Sequence, residues 1–222
     1  MKQAIINETI LALMVLAPLC IQAQGTLYIS NLGQTPTGRS DIGSNFWIAQ
    51  EYITGNNSDG YSLDSVQLLM NAASGSPTGF AVSVYSKTGD PHSASNGDSP
   101  LADIGNFNGS ADPSAGGLFA YSSDGLSLAS HTFYFIVVTS ATSVASGSYV
   151  WSAANSFTQD PNTLWTIEDA YFSSVNGSSW DETLRQNVFQ MAIYATPVPE
   201  PQTEVLLGLG LVCLGLLSRQ RK

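Results

Sequence analysis

The sequence predicts an all-β protein: an antiparallel β-sandwich, jelly-roll-like, flanked by an N-terminal signal helix and a C-terminal transmembrane helix. Three observations predict it. Between residues 25 and 196, short β-prone runs alternate with clusters of Gly, Asn, Asp, Pro and Ser, and no stretch there holds a helical period for long. Phe80 to Ser86 alternates cleanly, with Phe80, Val82, Val84 and Ser86 on one face and Ala81, Ser83, Tyr85 and Lys87 on the other. Continuous hydrophobic runs outside this region occur only at the two ends of the chain.

The strands are read in order. Asn45–Thr54 carries Phe46, Ile48, Tyr52 and Ile53, and Tyr61–Met70 follows with Tyr61, Leu63, Ser65 and Gln67 on one phase. Between them, Thr54-Gly55-Asn56-Asn57-Ser58-Asp59-Gly60 is a turn cluster. Phe80–Ser86 and a weaker run over Leu101–Phe107 come next. Phe133–Val138 is continuously apolar, as in a strand buried on both faces or in a sandwich core. Tyr149–Ser152, Leu164–Ile167 and Val188–Tyr194 complete the set, and Asp181–Gln186 is expected to make one helical turn. Many short strands at this spacing predict a sandwich.

Composition excludes several function classes. The chain has 222 residues and a formal net charge of -10. In residues 25–196 the only bases are Arg39, Lys87 and Arg185, against fourteen acids, a net charge near -11. Phosphate contacts need Lys and Arg, so nucleic acid is not an expected partner. Cys20 lies in the N-terminal segment 1–23 and Cys213 in the C-terminal hydrophobic run, so the domain between them has no disulfide to make.

Residues 1–23 read as a secretory signal peptide: Lys2 near the start, an apolar run Ile10–Leu19, and the small residue Ala23 before Gln24. At the other end, Val198-Pro199-Glu200-Pro201 precedes a 13-residue hydrophobic run, Val205–Leu217. Residues 218–222 form a basic tail in which Arg219, Arg221 and Lys222 supply three of the seven bases of the chain. Such a tail stays on the cytoplasmic side, placing the domain outside. At about 1.5 Å per residue the run spans about 20 Å, short of a hydrocarbon core of about 30 Å, which suits a transient stop better than a permanent anchor.

A Pro-Glu-Pro motif, a hydrophobic helix and a terminal Arg-rich cluster, in that order over residues 198–222, resemble the PEP-CTERM sorting signal of Gram-negative bacteria. The resemblance implies recognition by an exosortase, a membrane-embedded cysteine transpeptidase-like enzyme, and delivery to the cell surface or extracellular matrix. It makes residues 198–201 the sorting motif. A plain C-terminal anchor is the alternative. Over residues 45–195, the order Tyr61-Ser62-Leu63-Asp64-Ser65-Val66, Phe80-Ala81-Val82-Ser83-Val84-Tyr85, Leu101-Ala102-Asp103, Leu128 to Val137 and Tyr149-Val150-Trp151 is similar to choice-of-anchor domains, type R in particular. That resemblance implies a surface β-sandwich and carries no catalytic residues.

Candidate chemistry within the domain is sparse. There is no Gly-x-Ser-x-Gly elbow and no cysteine nucleophile, and His92 and His131 read as structural or solvent-facing. Glu51, Glu168, Asp169, Asp181 and Glu182 are carboxylates of the type a glycoside hydrolase pairs, the least favoured reading. Calcium is a possible cofactor in loops, with Asn57, Asp59 and Asp64 as ligand candidates and Asp90, Asn96, Asp98 and Asp103 as a second set. Neither loop fits an EF-hand, since placing its Gly on Gly60 leaves Val66 where Glu is required. A carbohydrate-binding module is the main alternative, with extracellular polysaccharide stacked on Trp47, Trp151, Trp165 or Trp180; Trp180 is the one expected to be exposed.

Overall fold

The computed structural model describes residues 25–87, 101–106, 112–161, 163–173, 177, 180–182 and 188–199. The signal peptide, Glu200, Pro201, the hydrophobic run 205–217, the basic tail, His92 and most of the second calcium set (Asp90, Asn96 and Asp98) lie outside these residues.

The protein is all-β, built from two antiparallel sheets facing each other across one core. The first sheet holds β1 (Thr26–Ser30), β2 (Gly38–Ile42), β4 (Tyr61–Gly75), β7 (Gly117–Leu128), β9 (Gly147–Ala154), β12 (Val188–Phe189) and β13 (Met191–Pro197). The second holds β3 (Trp47–Ile53), β5 (Ala81–Lys87), β6 (Leu101–Asn106), β8 (Phe133–Thr139), β10 (Thr166–Ser173) and β11 (Asp181–Glu182), in the order β11-β10-β3-β8-β5-β6. The only helical element among the described residues is a single 3-10 turn at Pro113–Ala115, capped by the Asp112 carboxylate.

β4 is the spine of the first sheet. One edge pairs with β7 from Tyr61 to Met70. The other pairs with β13 from Tyr61 to Leu68 and then with β9 from Met70 to Gly75. The sheet therefore forks where β13 ends and β9 begins, and β9 carries β2 on its far side. The expected single phase of Tyr61, Leu63, Ser65 and Gln67 is corrected here. A register shift between Leu63 and Ser65 inserts a residue, so Tyr61, Leu63, Val66, Leu68 and Met70 all face the core while Ser65 and Gln67 turn outward.

β8 is buried on both faces, as its unbroken apolar run predicts. Tyr134, Ile136 and Val138 join the main core, and Phe135 and Val137 join a second cluster on the outer face of the second sheet with Ala49, Tyr171 and Trp180. In β5, Val82 and Val84 face the main core and Tyr85 packs on the outer cluster, as the alternation requires. Other expectations need correction. Asp181–Glu182 is a strand paired with Tyr171 and Phe172 rather than a helical turn. The run beginning at Leu164 enters the sheet only at Thr166 and then extends to Ser173.

The fork is held by buried amides. Gln190, fully buried, sits between β12 and β13. Its backbone NH donates to the Ser152 carbonyl at 2.9 Å, and its carbonyl accepts from Leu69 N at 3.1 Å and from Trp151 Nε1 at 3.0 Å. Its side-chain oxygen accepts from Ser152 Oγ at 2.8 Å, and its Nε2 donates to the Gln34 carbonyl at 2.8 Å. Asn31 brackets the same segment: Nδ2 donates to the Phe189 carbonyl at 3.1 Å, and Oδ1 accepts from Met191 N at 2.7 Å. Gln50, on the opposite sheet, accepts from Phe189 N at 2.7 Å and donates to the Glu168 carbonyl at 2.7 Å and the Glu51 carbonyl at 3.1 Å. That side chain joins the two sheets through the core.

Replacing Gln50 with Leu keeps the volume but strands Phe189 N and the carbonyl of Glu168. Each orphaned buried group costs about 1–3 kcal/mol, so the variant should lose about 2–6 kcal/mol in a urea melt. Exposed Ser76, changed to Ala, should move the midpoint by less than about 0.5 kcal/mol.

Candidate functional site

The most structured candidate lies at the end of the sandwich where the chain leaves it. The Asn57–Gly60 turn closes with Gly60 N donating to the Asn57 carbonyl at 2.9 Å. Gly60 has φ +79°, and a Cβ there would stand 2.3 Å from the Leu128 carbonyl oxygen, so only glycine fits. Asn57 Nδ2 donates to the Gly60 carbonyl and, at 3.0 Å, to the Val198 carbonyl, while Val198 N donates to the Gly60 carbonyl at 3.0 Å. Val198 is the last of the described residues with a hydrogen bond to the fold, and Pro199 after it is exposed.

Beside this exit is a depression of about 390 Å³. Trp165 forms its floor, stacked on Tyr28 (centroids 4.9 Å apart) and met edge-on by Tyr61 at 4.9 Å. Asn56, Asn57, Leu164 and Pro197 form the rim, and Leu164 is 64% exposed. Thr163 Oγ1 donates to the Tyr28 carbonyl at 2.6 Å and accepts from Trp165 N at 3.1 Å, fixing the rim loop to β1. Trp165 Nε1 is buried and has no hydrogen-bond partner.

The aromatic cluster continues inward. Tyr52 stacks on Trp165 at 5.8 Å and lies 5.9 Å from Tyr134. Burial holds the Tyr52 phenol well above the usual tyrosine range, and Tyr134 adds to the shift. Burial also raises Tyr28, with Tyr61 contributing, and raises Tyr121 and Tyr149, where the Asp112 carboxylate contributes.

The sequence candidates are distributed differently from expectation. Trp180, expected to be exposed, is 5% exposed: it is packed in the outer cluster against the face of the second sheet. Trp151 is wholly buried, stacked on Phe189 at 4.8 Å, and Trp165 is buried except where it floors the depression. Trp47 is half-buried, and its Nε1 donates to the Ser44 carbonyl at 3.1 Å. None of the four is an open stacking platform.

Among the carboxylates, Glu51 is buried on the outer face of the second sheet, where Tyr171 OH donates to its Oε2 at 3.2 Å. Between Ile167 and Ala170 a bulge sets Glu168 and Asp169 together opposite Glu51, and Gln50 braces it from inside. Asp181 lies one strand further out, exposed, and Glu182 pairs with Tyr171 through the backbone. His131 is exposed in the turn before β8, at φ 47°, with its NH donating to the Gly55 carbonyl at 2.9 Å.

For calcium, Asn57 uses its amide nitrogen as a donor to two carbonyls, and Asp59 is exposed at the turn. Asp64 lies on the outer face of the first sheet, accepts from Thr196 Oγ1 at 2.9 Å, and lines a separate depression with Gln67 and Tyr194. Among the described residues no group of three or more His, Cys, Asp or Glu side chains is placed to hold a metal ion. The exit depression itself escapes sequence reasoning, because it is assembled from β1, the β3–β4 turn and the loop before β10.

No protein-family model and no curated protein matches the chain. Among solved structures it is similar to the cysteine protease and lectin-like domains of Cwp84, a surface layer associated protein of Clostridium difficile, with a TM-score of 0.50 and 12% identity over 78% of this chain and 36% of that one. It is equally similar to clostridial Cwp84 after propeptide cleavage, with a TM-score of 0.50 and 12% identity over 78% of this chain and 40% of that one. The chain therefore spans well under half the length of these neighbours, and the likeness is one of fold.

The tyrosines give a pH prediction. A phenol whose folded pKa is raised keeps its proton while the unfolded chain loses it, so stability is full below about pH 10 and falls as pH rises beyond it, by up to about 1.4 kcal/mol per pH unit for each such group. An alkaline titration followed by circular dichroism should show cooperative unfolding above about pH 10. Tyr52→Phe, which removes the buried hydroxyl without a partner, should move that transition to higher pH and leave neutral-pH stability within about 1 kcal/mol of the parent.

Proposed function

We propose that this chain is an exported, non-enzymatic surface or extracellular-matrix protein of a Gram-negative bacterium, sorted by an exosortase through residues 198–222. In this reading the protein passes through the inner membrane, halts there by Val205–Leu217, and is processed and delivered to the surface. The domain is a passenger sandwich. We read its two strand paths, β1-β13-β4-β7 and β3-β8-β5-β6, as a jelly roll with β2 and β9 to β12 added.

The observation that carries the reading is the position of the exit. The last described strand ends at Pro197, and Val198, the first residue of the sorting motif, has its NH and carbonyl both tied to the Asn57–Gly60 turn. Pro199 is exposed immediately beyond. Seven residues, 198–204, separate the last strand from the hydrophobic run, a reach of at most about 25 Å. A processing enzyme in the membrane would meet the motif directly beneath the sandwich. Two prolines there lower the number of backbone donors and favour an extended chain, as a protease cleft requires.

Moving residues 198–222 onto an unrelated exported domain tests the reading. The fusion should arrest at the membrane and then undergo exosortase-dependent processing. Replacing Arg219, Arg221 and Lys222 with Gln removes charges that each cost about 2.5–3.5 kcal/mol at mid-bilayer, so the short run should slip through and unprocessed protein should appear outside. Glu200→Gln should leave arrest intact and block processing. Equal processing in a strain without the exosortase would make the segment a plain anchor.

A further inference from the structure

We infer that the depression beside the chain exit is a dock for the chain's own Pro-rich segment, residues 199–203, which it holds extended against the sandwich. The occupant follows from where the chain goes. Pro197 is itself on the rim, and Val198 is bonded to Asn57, another rim residue, so the next residues emerge at the edge of the depression. The segment has prolines at 197, 199 and 201, a spacing that favours the polyproline II conformation, in which backbone carbonyls are unpaired and project outward. Surfaces that bind such segments combine aromatic rings with side-chain donors. Here the ring open to the depression is the half-buried Tyr28, with the Asn56 carboxamide on the rim; Trp165 and Tyr61, almost wholly buried, back Tyr28 from below. Leu164, 64% exposed, supplies an apolar contact for a proline ring that nothing else in the described structure covers.

Docking would keep the sorting motif in one extended conformation before any enzyme meets it. This consequence rests on the sorting reading; the docking does not, and it is tested in the protein without exosortase.

The test places a nitroxide spin label at residue 202 by Gln202→Cys in the full chain, with Cys20→Ser and Cys213→Ser, in detergent micelles. Electron paramagnetic resonance reads its mobility. The docked segment gives an immobilised component. Leu164→Asp, at an exposed rim position, should remove that component, and so should Pro199→Ser combined with Pro201→Ser. All variants share the same tether and micelle, so a change reports the dock. An immobilised spectrum unaltered by either variant would mean that the micelle alone restrains the label and would overturn the inference. A mobile label in the parent chain would also overturn it, leaving the depression open to an external ligand such as a neutral saccharide.

Discussion

The sandwich depends on how three buried carboxamides finish the backbone of residues 189–191. A fork in a β-sheet leaves peptide groups without ladder partners, and in a core each orphan costs about 1–3 kcal/mol. Asn31 takes the Phe189 carbonyl and Met191 NH, Gln50 takes the Phe189 NH, and Gln190 binds Ser152 and the Gln34 carbonyl. Side chains thereby stand in for missing strands. Because Gln50 belongs to the opposite sheet, the same network fixes the two sheets relative to each other and braces the β10 bulge. It is also what allows β13 to run centrally between β1 and β4 and to deliver the chain to Val198.

The consequence for function is one of delivery. A terminal strand in the interior of a sheet is hard to peel away, since both its edges carry ladder bonds. The domain therefore ends at a fixed point, and the segment beyond begins at a fixed place on the surface. In the proposed sorting, about 25 Å of reach to the hydrophobic run would keep the aromatic end near the membrane. The strong negative charge of the domain favours mutual repulsion between copies.

Much of this was legible in the sequence where one residue pattern decides one local outcome. The unbroken run of β8 announced burial on both sides, and β5 announced its two faces. β7 was illegible because Ser122-Ser123-Asp124-Gly125 breaks Gly117–Leu128 with a turn-like cluster: it is held by pairing with β4, which its own composition does not signal. The phase of β4 was misread because a bulge is a property of two strands at once. Trp180 was misplaced because its neighbours Asn176-Gly177-Ser178-Ser179 are those of a surface loop, whereas the outer face of the second sheet offers Phe135, Val137 and Tyr171 to cover. Nothing in the residues around Gln50 and Gln190 signals that they are buried. The partners that join them across the fold, Glu168 and Phe189 for Gln50 and Asn31 and Gln34 for Gln190, lie more than a hundred residues away, out of reach of any local signal.

The central claim is that the C-terminus, not the sandwich, determines the fate of the protein, and intact mass spectrometry of the exported form tests it most directly. The account predicts a chain beginning near Gln24 and lacking the hydrophobic run and the tail through Lys222 in cells with exosortase, and a longer, membrane-retained chain in cells without it. A chain intact to Lys222 in both strains would contradict it.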